Sequence, residues 1–138
     1  RMSEAKELPG MRDVVVRLGT EALEVGQKLG YQPEPIFGLK PDEIEGTNRF
    51  VELMFDKLAA DVGGRSLRNA SLQDHMKGRK SETDLINGLV VDEGARFGIA
   101  TPANKAIVDL THRIEAGDLK PDPENMSLIL AAVAGKSV

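Results

Sequence analysis

Apolar residues recur along this chain at intervals of three and four, the period at which one face of an α-helix turns away from water. From Met11 the stripe runs through Val15, Leu18, Ala22, Val25 and Leu29, and Gly30 follows as a left-handed helix stop. Gly19, Ala22 and Gly26 lie near one another on this helix, where small side chains let a second helix approach its backbone. Residues 31–40 contain Pro33, Pro35 and Gly38 and read as an extended, packed loop, because proline pushes its predecessor out of helical geometry. Pro41 to Ile44 can form a single turn. Thr47 or Asn48 then caps a second long helix carrying Val51, Met54, Phe55, Leu58 and Val62 on one side, and Gly63-Gly64 ends it. Ser71 is placed to cap a brief helix through Met76.

The stretch from Gln73 to Gly88, QDHMKGRKSETDLING, organises the second half of the chain. Gly78, Arg79 and Lys80 form a basic turn, Ser81 opens a helix as N-cap, and Asp84 three residues on completes a variant of the capping box. Glu82 falls in the first turn, where free backbone N–H groups stabilise negative charge. Leu85, Ile86, Leu89, Val90 and Phe97 are expected to face a core. Glycine inside a helix costs about 1 kcal/mol relative to alanine, so Asn87-Gly88 suggests a close approach by another element. Gly98 stops this helix. Thr101-Pro102 restarts the next, with Ala103, Ile107, Leu110 and Ile114 as its inner face and Asn104 assigned to capping. Gly117 ends it, and Asp122-Pro123 repeats the start signal for a last helix through Met126, Ile129, Leu130 and Val133. No strand-like alternation interrupts this. The reading is an all-α bundle of about six helices in a single domain, residues 1–138.

Composition narrows the function classes. Eighteen basic residues against 22 acidic ones give a net charge of −4, which disfavours a general nucleic-acid or anionic-membrane binder. No apolar run approaches the ~18 to 20 residues of a membrane span, and no signal-like segment opens the chain, so a cytoplasmic location is the default expectation. Without cysteine there is no disulfide, thiolate metal site or thiol nucleophile. With four Phe, one Tyr and no Trp, the core must rest on Leu, Val, Ile, Met and Ala.

Few residues carry chemistry by pattern alone. No G-x-G-x-x-G follows a strand, so the chain has no Rossmann means of holding a dinucleotide. His75 and Asp74 are neighbours on a helix and diverge. His112 and Glu115 could face one metal ion, but two ligands make no site, and no metal is expected. Lys77, Arg79 and Lys80 read as a solvated turn. On local grounds Glu82 is an ordinary acidic residue at a helix start.

The ordered string changes that reading. Gln73-Asp74, Gly78-Arg79, Ser81-Glu82, Asp84 and Asn87-Gly88, followed by Gly98-Ile99 and Thr101-Pro102-x-Asn104, resembles the C-terminal domain of the ketopantoate reductases. That family, also called 2-dehydropantoate 2-reductase, has a hallmark run Gln-Asp-x-x-x-Gly-Arg-x-Ser/Thr-Glu-x-Asp-x-x-Asn-Gly at this place. The resemblance implies a helical domain of the 6-phosphogluconate dehydrogenase C-terminal type. It implies NADPH-dependent reduction of a 2-oxo acid, ketopantoate to pantoate, on the route to pantothenate and coenzyme A.

By the same resemblance Glu82 corresponds to the active-site glutamate, working in a cleft beside a catalytic lysine. Ser71 and Asn69 are weaker substrate-contact candidates, through their place next to Ala70, where the family usually carries a serine for the substrate carboxylate. Asn87 and Gly88 are assigned to packing around the site. Neither Lys6 nor Lys28 stands in the asparagine-bearing helical pattern of the family's lysine. The chain is therefore expected to be the substrate-side part of a longer enzyme, lacking its nucleotide domain and inactive alone. NADPH would bind mainly to that other domain and none to this chain by itself. Expected partners are a small 2-oxo acid and the nucleotide domain, with homodimerisation open and neither nucleic acid nor membrane involved. The alternative is a non-catalytic helical dimerisation or interaction module of the same fold.

Overall fold

Every regular element among the described residues is a helix, as the apolar period requires. The computed structural model describes residues 9–34, 38–39, 49–61 and 81–135. Helix α1 spans Met11–Lys28 and α2 spans Arg49–Asp61. A π-helical turn, Asp84–Gly88, runs directly into α3, Leu89–Phe97. Helix α4 is Pro102–Glu115, and α5, Met126–Val133, is entered through a 3-10 turn at Pro123–Asn125. The all-α class holds, with five α-helices among the described residues and about six expected for the whole chain. The turn expected at residues 41–44, the cap at Thr47 or Asn48, the stop at Gly63-Gly64 and the brief helix from Ser71 lie outside the described residues. No described helix is long and apolar enough to cross a membrane.

Helix α1 is the hub, touching α2, α3, α4 and α5. One side packs on α2 through Phe50 and Val51, which are buried with Leu39 and flanked by Leu23, Leu53 and Met54. Gly19 makes this approach possible, since a Cβ there would lie 2.5 Å from Val51 Cγ1. The small-residue face is thus used, at Gly19, by the chain's own second helix. Gly94 serves the same purpose on α3: a Cβ would meet Thr101 Cγ2 at 2.8 Å and the Ile99 carbonyl at 3.0 Å. Gly88, where a close approach was expected, has its nearest neighbour for such a Cβ at 3.8 Å, an ordinary contact. The stop signals were legible. Gly98 adopts φ +69°, and the Ile99 N–H reaches back to the Gly94 carbonyl at 2.8 Å, closing α3. Gly30 ends α1 likewise, with Tyr31 bonded to the Gly26 carbonyl.

Two apolar stripes need correction. On α1 the buried residues are Val14, Glu21 and Val25, while Leu29 is exposed. The stripe through Val15 and Leu29 is therefore rotated from the true inner face, because a pattern built from apolar residues passes over Glu21. The second correction is larger. Leu85 is 76% exposed, Ile86 60% and Leu89 57%, and Phe97 too is exposed under the Arg96 guanidinium. The inward positions are held by Thr83, by Asn87 and by Gly94. A π turn closes i to i+5 rather than i to i+4, so a stripe counted at 3.6 residues per turn loses phase across it.

Helix α4 starts as Thr101-Pro102 predicts, with Thr101 non-helical at the N-cap and Pro102 at the first position. The Thr101 side chain makes no capping bond, however. The cap comes from Glu21 on α1. Its Oε1 accepts the Ala103 N–H at 3.0 Å and its Oε2 accepts the Asn104 N–H at 3.0 Å. Glu21 Oε2 also accepts from Asn104 Nδ2 at 2.8 Å, and Arg17 Nε donates to Oε1 at 3.2 Å. Glu21 is 0% exposed, and every donor to it is an N–H, which suits a carboxylate that can only accept. Asn104 is not the cap but the next link. Its Nδ2 also donates to the Leu18 carbonyl at 3.2 Å, and its Oδ1 accepts from Asn87 Nδ2 at 2.8 Å. Beyond the far end of α4, Asp122 caps the 3-10 turn as expected, accepting the Glu124 N–H at 2.8 Å.

This network makes a stability prediction. Glu21→Ala strands two buried backbone donors and the Asn104 amide, and costs about 3 to 5 kcal/mol in urea unfolding. Glu21→Gln keeps one acceptor but turns an NH2 toward N–H donors, so it recovers only part of that loss.

Candidate functional site

Sequence directs attention to Glu82, and the structure gives its surroundings. The chain enters at Ser81, turns at Glu82 and becomes helical at Thr83, immediately ahead of the π turn. The Glu82 carbonyl accepts the N–H groups of Leu85 and Ile86 at 3.0 and 3.1 Å. Its side chain is exposed, whereas Thr83 next to it is buried. Among the described residues no side chain bonds the Glu82 carboxylate. Leu85, Ile86 and Leu89 follow at three, four and seven positions and are exposed as well. An open carboxylate thus heads an open apolar strip.

The capping box is not formed as expected. Ser81 Oγ does accept the Thr83 N–H, at a long 3.4 Å, and shares a 2.8 Å hydrogen bond with the Thr83 hydroxyl. Asp84 does not return to Ser81. Its Oδ1 lies 2.7 Å from His112 Nε2, and the Ser81 N–H is taken by Glu115 Oε1 at 2.9 Å. Thr111 Oγ1 donates across to Thr83 Oγ1 at 3.5 Å. The turn is therefore anchored to α4 by tertiary contacts where local capping was expected. His112 and Glu115, three apart in sequence, are engaged with two different residues of the turn. Among the described residues no group of three potential metal ligands comes together.

Asn69 and Ser71, the candidate substrate contacts, lie outside the described residues together with Ala70 and the run from Gln73 to Lys80. Asn87 holds the π turn to α4, its Nδ2 donating to Asn104 Oδ1. Sequence reasoning missed Glu21. The signal was present: a glutamate stands three after Leu18 and four before Val25, inside the apolar stripe, and a buried glutamate needs partners.

Comparison with known proteins identifies the family. The family described as "Ketopantoate reductase PanE/ApbA C terminal" matches residues 1–115. A 2-dehydropantoate 2-reductase of Archaeoglobus fulgidus is 36% identical over 50 residues. That alignment covers 36% of this chain and 17% of the relative's length. No solved structure gives a significant match. With the family matched over residues 1–115 of 138, the chain belongs to the ketopantoate reductase C-terminal family.

Proposed function

We propose that the chain is the substrate-side helical domain of an NADPH-dependent reductase that converts a 2-oxo acid, ketopantoate, to its 2-hydroxy acid. The observation that carries this reading is Glu82, an open carboxylate on an anchored turn; its motif resemblance supports taking it as the family's active-site glutamate. NADPH would supply the hydride and would be held by a nucleotide-binding domain outside these 138 residues. The chain's own contribution is the carboxylate. Beside a lysine ammonium from outside the described residues, Glu82 would orient the cation and accept a hydrogen bond from a substrate hydroxyl. A soluble cytoplasmic enzyme of pantothenate synthesis is the setting this role fits.

The test is Glu82→Gln in the full-length enzyme. Loss of an orienting carboxylate costs about 2 to 4 kcal/mol in kcat/KM, with thermal stability little changed. As a plain helix-start acid, Glu82 would contribute ~0.3 to 1 kcal/mol, to folding and not to rate. An unchanged rate returns it to that role.

Substrate contact is assigned to the segment around Ala70. Where the family's serine is absent, one hydroxyl donor to the substrate carboxylate is missing, a bond worth ~1.5 to 3 kcal/mol to a charged group. If the donor is missing, Ala70→Ser raises ketopantoate turnover about tenfold or more. If Ser71 or Asn69 already replaces it, Ala70→Ser is silent and Ser71→Ala or Asn69→Ala is the damaging change. Steady-state kinetics on a panel of 2-oxo acids separates the two, and no response from any of these variants removes the substrate contact from this segment.

A further inference from the structure

Three side chains near the C-terminal end of α4 reach the residues on either side of Glu82. Glu115 accepts the Ser81 N–H at 2.9 Å, Thr111 Oγ1 lies 3.5 Å from Thr83 Oγ1, and His112 Nε2 lies 2.7 Å from Asp84 Oδ1. Ser81 and Thr83 are themselves joined, hydroxyl to hydroxyl, at 2.8 Å. The backbone is thereby bracketed immediately before and immediately after Glu82, while the Glu82 side chain stays open.

Such bracketing matters because of how a carboxylate works on a reacting group. A glutamate side chain has torsions of its own, so the region its oxygens can reach is defined only when its backbone is held still. Misplacement by ~1 Å can cost on the order of a hundredfold in rate. Thr111, His112 and Glu115 project from one helix at spacings of one, three and four, and α4 is fixed at its other end by Glu21. A rigid edge therefore holds a short turn at three points. We propose that Thr111, His112 and Glu115 form a positioning clasp that sets where the Glu82 carboxylate stands. This rests on Glu82 being the working carboxylate. The clasp residues touch neither substrate nor cofactor in this reading; they act through Glu82.

The clasp can be told apart from ordinary packing. The His112–Asp84 pair is half exposed, with side chains 52% and 63% accessible, and pairs of that kind contribute little to folding stability. Its variants should stay folded, so a rate change reports position. In the full-length protein, with NADPH and ketopantoate as probes, His112→Ala and Glu115→Ala each lower kcat about tenfold and move KM less. Glu115→Gln keeps an acceptor oxygen for the Ser81 N–H and retains near wild-type kcat. Placed in a Glu82→Gln background, Glu115→Ala adds roughly nothing, since the group it positions is already gone. Amide exchange at Ser81 accelerates in Glu115→Ala and not in Glu115→Gln. Equal kcat losses from Glu115→Ala in both backgrounds, or none in either, overturn the clasp. If Glu82→Gln lowers kcat but the clasp variants do not, the proposed function stands and the clasp alone is removed. If Glu82→Gln leaves kcat untouched, the assignment of Glu82 fails and the clasp's positioning role fails with it.

Discussion

The arrangement of the described helices depends on one buried carboxylate. Glu21 is fully enclosed between α1 and α4, which is costly for a charged group unless donors replace the lost water. Here the donors are the first free N–H groups of α4, the Asn104 amide and the Arg17 guanidinium. Pro102 has no N–H to offer, so Ala103 and Asn104 are the first donors the helix exposes, and Glu21 takes both. The positive end of the α4 dipole adds to the attraction. Because the same asparagine then accepts from Asn87, the crossing of α1 and α4 and the seat of the π turn are fixed together. Geometry at the turn is inherited from a residue on the first helix.

What the sequence disclosed depended on how local each interaction is. Helix stops at Gly30 and Gly98, the Pro102 start and the Asp122 cap depend on a few neighbouring residues, and all were readable. The interactions that define the site span the chain. Glu115 reaching Ser81 and His112 reaching Asp84 look, in one dimension, like two weak metal ligands and half of a capping box. The capping-box expectation failed at Asp84 because a partner from α4 competed for it, which no window around Ser81 could reveal. The π turn misled in a different way. It inserts length without changing composition, so Leu85, Ile86 and Leu89 keep the spacing of a core face while standing in solvent.

Glu82 sits where these two kinds of information meet. Its identity as a candidate came from an ordered motif, and nothing in its immediate neighbours distinguishes it from any acidic residue in a first helical turn. Its surroundings in three dimensions are less ordinary. The neighbours are tied down, the next turn is π-helical, and the strip beyond is apolar and open. Irregular turns of this type are frequent at functional sites, where the extra residue redirects side chains that a regular helix would bury.

The distance along the chain between Glu21 and the backbone donors it caps has a kinetic consequence. Glu21 lies 82 positions before Ala103 and 83 before Asn104. Helix α4 lacks a local side-chain cap, so its first turn gains an acceptor only after the intervening chain has closed on itself. Closing a loop of that size costs about 2 kcal/mol more in chain entropy than closing one of ten residues. The capping contact at the N-terminus of α4 therefore forms late, once the chain between Glu21 and Ala103 has closed. The contacts that tie the π turn to α4 close loops of only 17 to 34 residues, so the turn and α4 can join before the first helix docks on them.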